Sequence, residues 1–253
     1  MEKIRIIPKL EIKNNNLIKG IQYEGLRVIG DPKEYAKKYY DDGADQIIVT
    51  DIVASLYSRD NLFSTIDNLT NNIFIPITAG GGIKSIEDIR KLLNVGADRV
   101  LLNSFLFEDK NILDLITNIF GAQFLTVMIE AKKIDNEYYC MKNHGRDNTG
   151  IQVVKWLNFL SKKNFGELAI YSVDNDGLNK GFDKDLLEIV KSQNLNVPII
   201  YGGGLNNYEN ISEVIETYNL SGVSLSSSLH FNKMTIKSLK KYLKNRKLKI
   251  NEF

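Results

Sequence analysis

Eight short apolar runs, most followed by a longer stretch of helical period, constrain most strongly what this chain can fold into. The runs are IRIIPKLEI (4–12), DQIIVTDIV (45–53), IFIPITA (73–79), DRVLLNS (98–104), QFLTVMIEA (123–131), ELAIYSVD (167–174), NVPIIY (196–201) and GVSLSSS (222–228). They are rich in Ile, Val and Leu, the composition of strands covered on both faces. Helix-start signals punctuate the stretches between them: Asp31-Pro32, Ser85 with Asp88, Thr149-Gly150, Asp183, Asn207 and Thr235. Strand alternating with helix predicts a parallel sheet. Eight such units in 253 residues predict an α/β fold, one (β/α)8 TIM-barrel domain spanning 1–253. An open doubly wound sheet would have fewer strands and a Gly-rich fingerprint near its start, which the chain lacks.

The chain also repeats itself. PITAGGGIKS (76–85) returns as PIIYGGGLNN (198–207), with Gly80 and Gly202 separated by 122 residues. Each triplet is preceded by an apolar run and followed by another apolar segment, ending in Asn103-Ser104 or in Ser226-Ser227-Ser228. This order predicts two half-barrels, about 1–120 and 121–253, with the triplets at the C-terminal ends of the third and seventh strands. Glycine there permits unusual dihedrals and a close approach of backbone to ligand. Free N–H groups at the helix starts that follow suit an anion. Two such places on one face, around Gly81, Gly82, Asn103 and Ser104 and around Gly202, Gly203, Ser226 and Ser227, point to a small-molecule ligand with two phosphates. The competing reading is that the glycines only turn the chain.

Half-repeat spacing pairs Glu11 with Glu130 on strands that face each other across the mouth, as candidate acid and base. The alternative is that each is neutralised by a lysine, Lys13, Lys132 or Lys19. Asp51, Asp174 and Asp176 are expected on the same rim, where any could hold a sugar hydroxyl. His144, in the polar KNHGRDNTG segment, is expected to be exposed, and His230 to pack or cap. With two histidines and one cysteine, no metal-ligand spacing exists, and neither metal nor cofactor is expected. Residues 14–31 read as a long first loop whose Lys19, Tyr23 and Arg27 could close over a ligand. Residues 132–148 are long enough for a small hairpin.

Composition removes other classes. A net charge of +2 gives no global field for nucleic acid or membrane, and the basic tail 237–249 lacks aromatic platforms. The lone Cys140 cannot form an intramolecular disulfide, MEKIRIIPKL has no signal-peptide core, and no apolar stretch reaches the ~18 residues of a membrane span. A cytoplasmic protein is the expectation.

Read together, RIIPKLEIK, IKGIQYEGLRVIGDP, YYDDGADQIIVTDIVAS, ITAGGGI, GADRVLLNS, IEAKKID, GRDNTG, SVDNDGLNKGFD and PIIYGGG resemble HisF, the cyclase subunit of imidazole glycerol phosphate synthase, over nearly the whole chain. The resemblance implies a partner glutaminase at the N-terminal barrel face, ammonia passing through the barrel, and a bisphosphate substrate cleaved and cyclised at the C-terminal face by two carboxylates. It implies ligand contacts for Lys19, Asp176 and Gly177, an ammonia gate of Arg5, Gln46, Arg99 and Glu167, and a glutaminase contact at Asp98. The match is uneven. Glu11 and Glu130 stand where the family has aspartate, Lys9 where cysteine is common, Leu178 where threonine is usual, and Gly202 where serine is usual. The stretches IEAK, EGLR and DIVASLYSR resemble a second branch of the family. In that branch the barrel works with a second glutaminase and a sugar amidotransferase to make acetamidino groups on surface sugars. The other readings are the histidine-pathway cyclase itself and a barrel kept only as a scaffold activating its glutaminase.

Overall fold

The computed structural model describes residues 3–52, 60–109 and 111–251. Residues 53–59, which hold most of the DIVASLYSR stretch, lie outside them. Eight parallel strands close into a ring in the order β1 (Arg5–Lys13), β4 (Ile47–Asp51), β5 (Ile77–Gly80), β6 (Arg99–Leu102), β7 (Leu125–Ile134), β10 (Glu167–Ser172), β11 (Ile199–Gly202) and β12 (Gly222–Leu225). The last, β12, pairs in parallel with β1, Arg5 opposite Gly222, and this closes the barrel.

The remaining strands form two hairpins at the C-terminal mouth. β1 runs on into antiparallel β2 (Asn16–Ile21) and β3 (Glu24–Gly30); β7 runs on into β8 (Glu137–Lys142) and β9 (Asp147–Gln152). The second hairpin matches expectation. The first replaces the expected loop: its turn at Gln22 and Tyr23 is built from left-handed residues, φ 51° and 65°. The helix expected to open at Thr149-Gly150 starts instead at Val153, because β9 continues through Gln152.

Around the ring lie α1 (Pro32–Asp41), α2 (Asp60–Thr70), α3 (Ile86–Asn94), α5 (Ile112–Phe120), α6 (Val153–Leu160), α7 (Lys184–Ser192), α8 (Tyr208–Tyr218) and α10 (Ile236–Asn245), with one-turn helices α4 (Ser104–Glu108) and α9 (Ser227–His230) after β6 and β12. The caps read from sequence form as hydrogen bonds: the side chains of Asp31, Ser85, Asp183, Asn207 and Thr235 accept from backbone N–H groups of the first turns.

The period of two along each strand divides the apolar residues. Ile6, Leu10 and Ile12 join the core between strands and helices, whereas Ile7, Ile48, Leu101, Ala169, Tyr171 and Ile200 form a separate cluster inside the barrel, with Met128 against it. The barrel interior is therefore a packed apolar column with a polar layer at each end.

Candidate functional site

At the N-terminal face the lower layer is a connected charged ring. Arg5 ion-pairs with Glu167 at 2.9 Å and donates to Gln46 Oε1 at 2.6 Å; Arg99 reaches the same Glu167 oxygen at 2.7 Å. Thr126 donates to the other Glu167 oxygen, and Gln46 donates to Thr78. Burial works against the charge on Glu167, but the two guanidiniums outweigh it and hold its carboxyl below the ordinary range. All four expected gate residues thus meet. Asp98 lies beside this ring, yet its carboxylate accepts the N–H of Ile77 at 2.8 Å. Asp45, in the matching GAD motif, does the same for Ile6. The aspartate of each motif satisfies an N–H at the start of the neighbouring strand.

At the C-terminal mouth Glu11 and Glu130 project from opposite sides into sharply different surroundings. Both Glu11 oxygens hold a lysine: Lys9 at 2.8 Å and Lys19 at 3.0 Å. Lys19 also reaches Asp176 at 2.8 Å. All four groups are buried. Burial resists ionisation of Glu11, yet Lys19 and Lys9 prevail and hold its carboxyl well below the usual value. Asp176, more burdened by burial than relieved by Lys19, is pushed up. Among the described residues no lysine ion-pairs with Glu130. It accepts from Asn103 Nδ2 at 3.1 Å and from Gly145 N–H at 3.0 Å, and burial lifts it to about 7. Two carboxylates related by the repeat are thereby driven apart in proton affinity, the usual arrangement for one acid and one anion. Neither pairs with Lys13 or Lys132.

The tips of the two hairpins meet over the barrel. Tyr23 stacks on His144 with ring centroids 4.2 Å apart and planes within 17°. They occupy equivalent places in the two halves, 121 residues apart. His144 is buried rather than exposed, because this stack covers it; burial lowers it to about 4, so it is neutral at pH 7. His230 packs below the mouth, within hydrogen-bond distance of Tyr39 and of the Lys9 carbonyl.

Two clefts flank the stack. Gly81, Gly82, Asp51, Asn103, Ser104 and Glu130 line one; Asp176, Gly177, Gly203, Gly204, Ser226 and Ser227 line the other; Lys9 lines both. The backbones match: Gly81 and Gly203 share φ 106°, and a Cβ there would lie 2.0 Å from the Asp51 carbonyl oxygen or 2.6 Å from that of Ser172. The steric demand accounts for these glycines without a ligand. Asn103 (φ −128°, ψ −86°) and Ser226 (φ −134°, ψ −89°) precede α4 and α9, and neither caps its helix with its side chain. Gly202 is not in either cleft. It faces the ring of Tyr171, with Gly204 taking the place in the lining expected of it. Lys9, Thr50 and Tyr171 were outside the sequence-derived site, although the two-residue period places Lys9 on the same strand face as Glu11.

A family model described as histidine biosynthesis protein matches residues 5–235. The imidazole glycerol phosphate synthase subunit HisF of Legionella pneumophila is 42% identical over 210 residues, 83% of this chain and 99% of that protein. The subunit of the same name from Campylobacter concisus is 39% identical over 240 residues, covering 95% of this chain and 94% of the other. That from Natranaerobius thermophilus is 35% identical over 246 residues, 97% and 98% of the two chains. The chain belongs to the HisF family. Within this HisF-type barrel Glu11 and Glu130 occupy corresponding strands of the two halves. Among the described residues no helix is long and apolar enough to cross a membrane, and no cluster of three or more His, Cys, Asp or Glu side chains could hold a metal ion.

Proposed function

We propose that this HisF-type subunit accepts ammonia from a partner glutaminase at its N-terminal face, conducts it along the barrel and delivers it for amidation of a surface sugar by an amidotransferase. The Arg5–Gln46–Arg99–Glu167 ring supports the entry point. The apolar column above it, Ile7, Ile48, Leu101, Ala169 and Ile200, favours neutral ammonia over the ammonium ion, whose desolvation would be costly.

The observation that carries the choice of branch is the doubly paired Glu11. A proton acceptor works best when its pKa lies near the operating pH. Glu11, held well below that range by Lys9 and Lys19, is a weak base, and Lys9 stands where a ligand reaching both clefts has to cross. The cyclase chemistry of the family needs two working carboxylates; conducting ammonia needs neither.

One observation favours the histidine-pathway cyclase. Glu130, near 7, suits a proton donor at neutral pH. The two readings separate in one assay: purified protein, the histidine-pathway ribotide and an ammonium salt at alkaline pH, followed by loss of substrate absorbance. Ammonium bypasses the glutaminase. The expected result is no turnover, with Glu11→Asp combined with Glu130→Asp restoring some. Turnover of the unmodified protein at ordinary enzyme rates, roughly 1–1000 per second, would overturn the amidation reading. Glutamine-driven amidation reconstituted with a glutaminase and sugar amidotransferase, and lost without the barrel, is its positive counterpart.

A further inference from the structure

The inward face of β1 reads upward through the barrel. Arg5 belongs to the charged ring, Ile7 to the apolar column, Lys9 to the top of that column and Glu11 to the mouth. On β10 the matching sequence is Glu167, Ala169 and Tyr171. Lys9 and Tyr171 meet where the column ends: Lys9 Nζ lies 4.3 Å from the Tyr171 ring centroid and 5.1 Å from that of Tyr23, and donates to Glu11 Oε1 at 2.8 Å. A carboxylate oxygen and two ring faces around one nitrogen are the surroundings that hold a free ammonium ion. Here the cation is the chain's own. Lys9 is 3% exposed, so its side chain fills the place. Burial opposes its charge, but Glu11 and the two rings, with Glu130 behind them, prevail and hold the ammonium well above the ordinary lysine value. Because Lys9 lines both clefts, whatever leaves the column for either one passes it.

We propose that Lys9 is the built-in occupant of an ammonium site at the upper end of the barrel, and that by filling it Lys9 keeps free ammonium out of the exit while neutral ammonia passes. The inference rests on the ammonia-conducting reading above and names the residue that selects the species delivered. An ammonium ion held between Glu11 and the rings would be stabilised as a cation, and with no lone pair it could not attack a sugar. Lys9 has N–H groups and no acceptor. It can donate to the lone pair of ammonia, and to ammonium it presents only a like charge. It is a specificity-determining residue of the passage and takes no part in the bond-forming step.

Shortening Lys9 should uncover the site. Lys9→Cys, the residue common in the family at this place, and Lys9→Ala are melted as full chains in ammonium or ethylammonium chloride. Sodium and tetramethylammonium chloride, which lack N–H donors, match the ionic strength. The shortened variants should gain a saturable rise in melting temperature, about 3–6 °C at about 100 mM for a dissociation constant of about 10 mM. Wild type and Lys9→Met, which fills the volume without a charge, should respond to ammonium no more than to sodium. Shortened variants that respond like the wild type, or that stay unfolded with ethylammonium present, refute the ammonium site. Saturable stabilisation of the wild type by ammonium refutes its occupation by Lys9. In glutamine-driven amidation reconstituted with glutaminase and sugar amidotransferase, a shortened variant should lose amidated sugar per glutamine hydrolysed. An unchanged yield in a variant that binds ammonium overturns the role given to Lys9. No amidation with the wild-type barrel removes the ammonia reading and that role with it, whereas the melting titrations decide the ammonium site by themselves.

Discussion

Gly202→Ser restores the residue usual for the family and should destabilise this chain. A Cβ at 202 would sit 2.5 and 2.6 Å from Tyr171 ring atoms and 3.2 Å from Ser224 Cβ. The ring has little freedom to retreat. Its hydroxyl donates to Ser224 Oγ at 3.0 Å, and the Lys9 ammonium lies 4.3 Å from its centroid. Overpacking of this kind costs about 1–3 kcal/mol; with the obstacle tethered by Ser224 we expect the upper half, about 2–3 kcal/mol. For a domain of this size that corresponds to a fall in melting temperature of roughly 4–12 °C. Tyr171→Leu removes the obstacle at the expense of a cavity and of the Lys9 contact. In a double-mutant cycle by urea unfolding, Gly202→Ser combined with Tyr171→Leu should be less destabilised than the sum of the single changes by about 1 kcal/mol or more. A neutral Gly202→Ser, or strictly additive costs, would refute the packing explanation and return Gly202 to the candidate ligand-contacting residues.

Two further outcomes follow from the mouth. Glu130 binds its proton more tightly folded than unfolded, so its contribution to stability is present at low pH and lost as pH rises through about 7. Glu130→Gln should abolish that loss: by urea unfolding at a pH below the ordinary carboxyl value of 4.5 and at one above 7, the wild type should lose about 3 kcal/mol more than the variant, and parallel pH profiles would count against a raised Glu130. Glu11→Gln strands the buried Lys9 ammonium and should cost about 3–5 kcal/mol, with Lys9→Met in the same chain recovering much of it; no recovery would mean that Lys9 and Glu11 are not a coupled pair.

The barrel was legible because its signals are local. Runs buried on both faces need no partner to be recognised, and a capping side chain lies within three residues of the N–H it serves. The first hairpin escaped because β3 is largely exposed, so its side chains show no clean alternation, and because its turn uses Gln22 and Tyr23 in place of an Asn-Gly pair. His144 was misread for a related reason. Its neighbours in sequence are polar, and the ring that buries it belongs to the opposite half-barrel. The repeat itself was the available clue, since His144 falls at the position equivalent to Tyr23. Lys9 was visible as a departure from the family but not as the partner of Glu11, a pairing that the period of two along β1 predicts. Gly202 illustrates the opposite error: a glycine inside a ligand-binding motif is here shaped by the ring of Tyr171.

The twofold scaffold alone gives no reason for its two glutamates to differ, so the difference must come from side chains. Two residues below Glu11, on the same face of β1, is Lys9; two residues below Glu130, on β7, is Met128, which packs against the interior apolar cluster. Backbone and burial are alike at the two places. Lys19, which reaches Glu11 and not Glu130, and the exchange of an ammonium for a thioether beneath the carboxylate together send the two groups in opposite directions. Exchanging the pair tests this directly. Met128→Lys should place an ammonium beneath Glu130 and bring it down from about 7 toward the ordinary carboxylate range. Lys9→Met should let Glu11 rise while Lys19 still restrains it, and should lift Glu130 further by removing the Lys9 charge that now lowers it. Carboxyl-carbon NMR titrations of the two variants, read against Glu11→Gln and Glu130→Gln for assignment, resolve each group. If Glu130 still titrates near 7 above a lysine at 128, the residue beneath the carboxylate is not what separates the acid from the anion, and the hairpin contacts of Asn103 and Gly145 carry that role instead.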